Sequence, residues 1–263
     1  MASYLGSSSV NHEDSKVMIA SSRSERVGDP SVTAQALPVE QGEYKHPPTN
    51  VSPMPASKRP FLIGVAGGTC AGKTVLCERL ADNTGDGEVA LIRLDMYQID
   101  RSHQAWDERA TANYDHPDAY DWTLLNHHLA VLGAGDGVPA PTYDFTIHNR
   151  SENVRWIDPA PVIIVEGILV LWEPTLRERF DLKVYIDTDD DLRFIRRLKR
   201  DVDERGRTTD SIIDQYLTTV RPGHRHYIEP SREYADVVLA QGGLNEPAFD
   251  LLLARVRELA HRA

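Results

Sequence analysis

Residues 67–74 read GGTCAGKT, and this stretch decides how the rest of the chain is interpreted. It matches the pattern G-x-x-x-x-G-K-[ST], in which glycines allow backbone N–H groups to surround bound phosphates. An apolar run at 61–66 precedes it and a helical pattern at 73–83 follows it, so strand, loop and helix stand in the required order. The predicted triphosphate-binding residues are Gly67, Gly68, Thr69, Cys70, Ala71, Gly72, Lys73 and Thr74.

Short apolar runs alternate with helical patterns over the rest of the chain, which is typical of a parallel sheet covered by helices on both faces. We predict an α/β, three-layer P-loop NTPase fold with a five-stranded parallel sheet. The predicted strands are 61–66, 89–94, 162–165, 182–186 and 235–239, and segments 138–145 and 154–157 are predicted to form an inserted β-hairpin. The predicted helices are 73–83, 122–132, 190–205, 209–220 and 247–261.

Residues 1–59 differ in composition from the rest. They are rich in Ser and Pro and contain no Phe or Trp, so we predict a disordered N-terminal tail followed by one folded domain, residues 60–263. The tail has acidic residues and lacks the basic, then apolar start of a signal peptide. Cys70 and Cys77 lack the spacing of a zinc site or a disulfide framework, which favours a cytoplasmic protein. No apolar run reaches the roughly 18 residues of a membrane helix, so no membrane contact is expected.

The chain has a formal net charge of −11, which disfavours binding to nucleic acid by net attraction. A phosphate ligand therefore needs a local cluster of basic groups, and the arginine-dense segment 196–207 is one. Guanidinium groups bind phosphate oxygens at two points, and Gly206 is a candidate hinge. We predict an Arg-rich lid that excludes water from the nucleotide. Ion pairs on a solvated helix face are the alternative.

Two acidic residues follow predicted strands, at the sheet edge where open α/β sheets bind ligands. Asp95 is a candidate general base for an acceptor hydroxyl and a candidate metal ligand through water, with a helix N-cap as the alternative. Glu166 is a candidate magnesium ligand together with Thr74, and anchoring of a loop is its alternative. Lys73 is predicted to reach the β- and γ-phosphate oxygens.

Several blocks of residues, in this order, resemble the uridine–cytidine kinase family within the phosphoribulokinase/uridine kinase group of P-loop kinases. The resemblance covers residues 60–245. Its blocks read FLIGVAGGT at 61–69, NYDHPDAYD at 113–121, PTYDF at 141–145, EGIL at 166–169, RD at 200–201, ERGR at 204–207 and YAD at 234–236.

The resemblance implies an enzyme that transfers the γ-phosphoryl group of ATP or GTP to the 5′-hydroxyl of uridine or cytidine, giving UMP or CMP in pyrimidine salvage. It implies that Asp95 is the general base, that Lys73 binds phosphate, and that Thr74, Glu166 and Asp95 serve a magnesium ion. The implied lid residues are Arg200, Arg205 and Arg207. Small nucleosides and nucleotides are the implied partners, and a homo-oligomer, a tetramer, is the implied assembly.

The same resemblance implies a nucleoside site. Asp115, Arg197 and Gln215 would bind the ribose hydroxyls, Tyr143 and His148 would read the pyrimidine edge, and Tyr114 and Phe145 would pack against the base. A carboxylate that accepts from both vicinal hydroxyls rejects deoxyribose, and aromatic walls exclude a larger purine. Core packing for the two aromatic residues and a structural role for the histidine are the alternatives.

One segment departs from the family pattern, which has Asp, one further residue and then two aromatic residues. This chain reads Asp95, Met96, Tyr97 and Gln98, so the second aromatic residue is missing or displaced. Nucleoside positioning is therefore less strongly indicated by the sequence than phosphate binding.

Three alternatives remain open at this stage. The first is a related kinase for another ribosyl alcohol, such as nicotinamide riboside or ribulose 5-phosphate, although Tyr143, His148 and the lid favour a pyrimidine nucleoside. The second is a GTPase-like switch, which the absence of an Asn-Lys-x-Asp motif disfavours. The third is a nucleotide-binding protein whose catalysis has decayed, as the altered segment after Asp95 would allow.

Overall fold

The computed structural model of the protein describes residues 59–262. The predicted tail, residues 1–59, lies outside these residues apart from Arg59, which pairs with the carboxylate of Asp181. Among the described residues, no helix combines the length and the apolar composition that crossing a membrane requires.

Seven strands and eight helices make up the described part of the chain. The strands are β1 (Phe61–Gly67), β2 (Val89–Arg93), β3 (Val138–Asp144), β4 (Asn149–Ile157), β5 (Val162–Glu166), β6 (Leu182–Ile186) and β7 (Val237–Leu239). The helices are α1 (Lys73–Asp82), α2 (Trp106–Thr111), α3 (Trp122–Gly133), α4 (Pro174–Arg177), α5 (Asp190–Asp203), α6 (Thr209–Gln215), α7 (Arg221–Gly223) and α8 (Glu246–Arg262).

Five of the strands form a parallel sheet in the order β2-β5-β1-β6-β7, which confirms the predicted fold class. All five residues of β5 are buried, as expected of a central strand covered on both faces. One face packs on α3, with Leu125 and Leu129 in its core, and the other packs on α1 and α8, with Leu76 and Val256 in its core. These are the three predicted layers.

The inserted hairpin is also confirmed, with β3 and β4 paired antiparallel and a register shift between Pro141 and Tyr143. The second strand begins at Asn149, five residues before the predicted start at 154. Its first half is polar: Asn149 is buried but is held by hydrogen bonds to Arg101 N and Asp100 Oδ1, and residues 150–153 are half-buried or exposed. Hydrophobic alternation therefore does not mark it.

Other boundaries differ for identifiable reasons. Leu94 leaves β2 and begins a 3₁₀ turn, Leu94–Tyr97. The predicted helix 209–220 runs on to Ile228 through two π-helical turns, Tyr216–Val220 and His224–Ile228, on either side of α7. Pro222 in α7 has no N–H to donate, which favours such irregular turns. Helix α2 was not predicted, since none of its residues is buried and it has no apolar stripe.

Helix α8 covers α1, the helix that begins in the phosphate loop, and adjacent leucines on α8 test this packing. Leu252 is 8% exposed, whereas Leu251 is 75% exposed. We expect Leu252→Ala to lower the free energy of unfolding by about 2–4 kcal/mol, because it removes buried methyl groups and leaves a cavity. Leu251→Ala should change it by less than about 0.5 kcal/mol. Urea denaturation followed by circular dichroism measures both, and equal effects would contradict this packing.

Candidate active site

The phosphate loop joins β1 to α1 and depends on glycine at two positions. Gly67 has φ +143° and Gly72 has φ +101°, in the region that residues with a Cβ rarely adopt. A Cβ on Gly72 would also lie 2.9 Å from the backbone nitrogen of Gly243. Cys70 has φ +56°, and a loop that alternates right- and left-handed backbone conformations can turn N–H groups toward a bound anion. The sequence pattern thus produces a loop shaped to bind an anion.

Lys73, the first residue of α1, is buried and lies over this loop. Its Nζ donates hydrogen bonds to the carbonyl oxygens of Gly67 and Gly68, each at 3.0 Å. The ammonium group and the N-terminus of the ten-residue helix α1 place positive charge at the mouth of the loop. This combination favours phosphate.

Thr74 and Glu166 are brought together, as their assignment to one metal ion requires. Thr74 Oγ1 donates a hydrogen bond to Glu166 Oε1 at 2.8 Å. Burial raises the pKa of Glu166, and the ammonium group of Lys73 opposes this rise. A hydroxyl and a carboxylate are hard oxygen ligands that suit Mg²⁺, which is usually held by one or two carboxylates together with substrate phosphates. Residues 59–262 contain no cluster of three or more His, Cys, Asp or Glu side chains placed to hold a metal ion.

Asp95 lies in the 3₁₀ turn directly after β2. The N-cap of this turn is Arg93, and no side chain caps it, so the helix-capping alternative for Asp95 is wrong. Strand register pairs Arg93 with Glu166, which brings Asp95 near the end of β5. Its negative charge contributes to the raised pKa of Glu166. Asp95 is exposed and lines a cavity.

This cavity brings together most of the residues that the sequence assigns to the acceptor and the lid. The predicted residues that line it are Thr69, Asp95, Tyr114, Asp115, Tyr143, Phe145, His148, Arg197, Arg200, Arg205, Arg207 and Gln215. Lys73, Thr74 and Glu166 are not part of its lining, and they lie at the adjoining phosphate loop. Three residues to which the sequence analysis gave no role in the site, Gln98, Tyr120 and Ile168, also line it.

Aromatic rings form one wall of the cavity. Tyr114 stacks on His148, with ring centroids 6.0 Å apart and an angle of 17° between the planes. Tyr143 contacts Phe145 edge-on at 5.0 Å. Burial lowers the pKa of His148, and the nearby cations Arg207 and Arg205 lower it further, so its imidazole is neutral at pH 7. A neutral imidazole offers one donor and one acceptor to a ligand.

The opposite side of the cavity is polar. Asp115 is buried, and burial raises its pKa while Arg197 opposes the rise. Arg197 donates to Thr69 Oγ1 at 3.0 Å and to Gln215 Oε1 at 2.9 Å. Arg207 donates to the same oxygen of Gln215. A carboxylate, a guanidinium and an amide thus face one space, a set that suits ligand hydroxyls.

Asp201 organises the arginine-rich segment. Its side chain is fully buried, and its Oδ1 accepts hydrogen bonds from Arg200 Nε at 2.9 Å and Nη2 at 2.8 Å. Arg197, Arg205 and Arg207 approach the same carboxylate within 3.4–3.6 Å. Burial opposes the ionisation of Asp201, but these cations outweigh it and hold its pKa below the ordinary value.

Four guanidinium groups around one carboxylate leave an excess of positive charge at the cavity. This is the local basic cluster that an acidic protein needs to bind phosphate. The Arg205 guanidinium also lies over the Phe145 ring at 4.0 Å, so the arginine-rich segment contacts the hairpin. The alternative of a solvated face with simple ion pairs does not describe this buried cluster.

Two residues missed by the sequence analysis stand out. Asp201 was quoted within a motif but given no role, because one acid in a run of charges carries no signal of burial. Its spacing of four residues from Arg197 and from Arg205 was the available signal. Gln98 was noticed as a departure from a pattern, and nothing in the sequence shows that its side chain enters the cavity.

The fold and the phosphate loop define a P-loop nucleotide-binding protein, and comparisons with known proteins identify it as a kinase. The chain matches the Phosphoribulokinase / Uridine kinase family over residues 62–247. It is 45% identical over 202 residues to a uridine kinase of Clostridium perfringens, covering 77% of this chain and 97% of that protein. It is 48% identical over 199 residues to a uridine kinase of Deinococcus deserti, covering 76% and 96%.

The chain therefore belongs to the phosphoribulokinase/uridine kinase family. The structure of phosphoribulokinase from Rhodobacter spheroides has a similar fold, with a TM-score of 0.54 and 19% identity, covering 70% of this chain and 71% of that chain. The protein is a phosphotransferase.

Replacing Asp201 tests the arginine cluster. We expect Asp201→Asn to lower the free energy of unfolding at pH 7 by about 3 kcal/mol, because it leaves the buried Arg197 and three half-buried guanidinium groups without their shared counter-charge. The pKa of Asp201 is below its ordinary value of about 3.9, so its ionised form stabilises the fold above that pH, and this contribution is lost as pH falls through the folded-state pKa. The difference between parent and variant should therefore shrink below about pH 4.

Urea denaturation between pH 7 and pH 3 measures this difference. Asp203→Asn is the matched control, since Asp203 lies on the same helix and is exposed. A similar loss in the control, or a difference that is independent of pH, would contradict the role assigned to Asp201.

Proposed function

We propose that this kinase is a uridine kinase, which transfers the γ-phosphoryl group of ATP or GTP to the 5′-hydroxyl of uridine or cytidine. One observation carries the proposal: Thr69 of the phosphate loop, Asp95 and the aromatic wall all line one cavity. A triphosphate on the loop would thus have its terminal group directed at an alcohol in that cavity. Relatives of this chain at 45–48% identity are uridine kinases, which supports the same acceptor.

The triphosphate would lie on the loop from Gly67 to Thr74, with Lys73 binding its terminal oxygens. The segment that carries Arg200, Arg205 and Arg207 would cover the phosphates and exclude water. In the structure these arginines converge on Asp201, which supports a preformed arrangement. Phosphoryl transfer needs little covalent chemistry from a protein, so positioning and charge supply most of the catalysis.

Thr74 and Glu166, with Asp95 through water, would hold a magnesium ion, and bound Mg²⁺ neutralises charge on the β- and γ-phosphate oxygens. Their hydrogen bond and the hard oxygen character of both groups support this assignment.

Asp95 would act as the general base. It takes the proton of the 5′-hydroxyl while that oxygen bonds to the γ-phosphorus, and the bond from this phosphorus to the β–γ bridging oxygen breaks, releasing the diphosphate. The exposure of Asp95 to the cavity supports this role, because the carboxylate can reach a ligand there and can later release its proton to solvent.

The nucleoside would be oriented by both sides of the cavity. Asp115, Arg197 and Gln215 would bind the ribose hydroxyls, which favours ribose over deoxyribose. Tyr143 and the neutral His148 would read the pyrimidine edge, while Tyr114 and Phe145 would pack against the base. The stacked and edge-on rings give this wall flat apolar surfaces, which supports packing against a base. We also infer a cytoplasmic location, because Cys70 and Cys77 lack the spacing of a disulfide framework or a zinc site, and a homotetrameric assembly from the family resemblance.

A substrate panel tests the proposal. We expect release of the diphosphate product from ATP to require uridine or cytidine, because the acceptor cavity is built for a nucleoside. Nicotinamide riboside and ribulose 5-phosphate are the competing acceptors, and GTP is the second donor. A coupled assay of ADP or GDP formation measures every combination.

Phosphorylation of nicotinamide riboside without phosphorylation of uridine or cytidine would assign the protein to another acceptor. Triphosphate turnover that needs no acceptor would favour the GTPase-like alternative. Tight nucleotide binding without any turnover would indicate decayed catalysis.

Replacing Asp95 tests the base. We expect Asp95→Asn to lower kcat by about 10²–10⁴-fold, since the amide cannot take the hydroxyl proton, while leaving the Kd for ATP within about twofold. Lys73→Ala should instead weaken ATP binding as well, because it removes a phosphate ligand. Steady-state kinetics and isothermal titration measure these constants, with the exposed Asp118→Asn as the control. Unchanged kcat in Asp95→Asn would remove Asp95 as the base.

A further inference from the structure

Arg193 is a buried arginine of α5 that is not among the residues lining the cavity of the candidate active site. Its side chain is only 3% exposed, although arginine usually lies at the surface. Its Nε donates a hydrogen bond to Thr188 O at 3.0 Å. Its Nη2 donates to the carboxylate of Asp190 and, at 3.0 Å, to His224 Nε2. Three acceptors therefore fix the plane of the guanidinium group.

The histidine of this set accepts and does not donate toward Arg193. An arginine side chain has no acceptor, so the Nε2 atom of His224 that it meets is unprotonated and the imidazole is neutral. Burial, followed by the charge of Arg193, lowers the pKa of His224 to about 4, which agrees with a neutral ring at pH 7. The guanidinium group is thus held in place by the fold at neutral pH.

The same guanidinium group lies against the phosphate loop at Gly68. A Cβ on Gly68 would lie 2.4 Å from Arg193 Nη1 and 2.6 Å from its Cζ, far inside van der Waals contact. Gly68 does not share the positive φ of Gly67 and Gly72, and the pattern G-x-x-x-x-G-K-[ST] allows any residue at this position. The glycine at 68 is therefore explained by the space that Arg193 occupies.

Two further contacts join the phosphate loop to the same part of the chain. Arg197, on the next turn of α5, donates to Thr69 Oγ1 at 3.0 Å. Thr188, just before α5, donates its hydroxyl proton to Ala71 O at 3.0 Å. Segment 188–197 thus holds the loop at several points along its length.

We propose, on the basis of the triphosphate binding proposed above, that Arg193 is a positioning residue that keeps the phosphate loop in the conformation that binds a triphosphate. The guanidinium group is enclosed, so it acts through the loop. The carbonyl oxygen of Gly68 also accepts from Lys73 Nζ at 3.0 Å, so Arg193 packs against a residue that holds the phosphate-binding ammonium group. A loop that is ordered in advance binds its ligand more tightly than one that the ligand has to order.

The experiment compares wild-type protein with Arg193→Met, whose side chain reaches only as far as Nε and lacks the rest of the guanidinium group. Isothermal titration measures the Kd for ATP and for uridine. We expect ATP binding to weaken about tenfold, because part of the binding free energy then goes into ordering the loop. The Kd for uridine should stay within about twofold, because Arg193 does not line the nucleoside cavity.

Gly68→Ala tests the same contact from the side of the loop. Its methyl group points at the guanidinium group of Arg193 and displaces it, so ATP binding should again weaken about tenfold. In Arg193→Met the methyl group meets no guanidinium group. Adding Gly68→Ala to that variant should therefore change the Kd for ATP by less than about twofold, as expected of two residues that act through one contact.

Arg177→Met is the matched control. This half-buried arginine of α4 also donates to backbone carbonyl oxygens, those of Leu171 and Trp172. Its replacement should leave both Kd values within about twofold of wild type. Arg193→Lys, which keeps the charge but cannot reach all three acceptors with one nitrogen, replaces Arg193→Met under the same criteria if that variant does not fold.

Three results would overturn the proposal. One is a Kd for ATP in Arg193→Met within twofold of wild type, which would limit Arg193 to stabilising the fold. Another is an equal loss for ATP and uridine, which would indicate general loosening of the domain. The third is full multiplication of the two single losses in the double variant.

ATP binding and uridine-dependent turnover by the wild-type protein are measured alongside. Absence of either would contradict the proposed function. If both are present and Arg193→Met leaves the Kd for ATP unchanged, only the role of Arg193 is contradicted. If ATP binds without uridine-dependent turnover, the comparison of Gly68→Ala in the two backgrounds still tests Arg193.

Discussion

The parallel pairing of β5 with β1 on one side and β2 on the other brings the ends of three strands to one edge of the sheet. The phosphate loop follows the first of these strands, Asp95 follows the second, and Glu166 ends the third. Because the strands are buried and apolar, their register is strongly specified, and so are the positions of the groups at their ends. The distance between the phosphate loop and the two acids therefore follows from packing of the core.

Two positively charged regions lie at this edge of the sheet. The loop and Lys73 attract phosphate, and the arginines around Asp201 add a second positive region within a chain of net charge −11. Asp201 is buried among cations that would otherwise repel one another, so it lets them lie close together in the absence of phosphate. The cost of burying this carboxylate is offset by its ion pairs.

The part of the cavity that is proposed to bind the nucleoside combines aromatic rings with polar side chains that bond to one another. Asp115, Arg197 and Gln215 form one polar set, and Tyr114 with His148 forms part of the aromatic wall. A ligand that leaves a buried polar group of the site without a hydrogen bond binds more weakly than one that pairs with every such group. Sites of this kind therefore discriminate strongly between similar ligands.

The sequence by itself determined the fold class, the five parallel strands, the phosphate loop and the family, because short-range patterns carry this information: apolar runs, helical periods and a glycine-rich motif between strand and helix. It could not show the polar half of β4 or the helix α2, since neither has a periodic apolar face. Only the tertiary structure decided that Asp201 is the buried centre of four arginines and that Gln98 lines the cavity. The four arginines lie within six residues of Asp201 in the chain, but the burial of its carboxylate and the place of Gln98 in the cavity depend on packing of the whole domain, which no local pattern encodes.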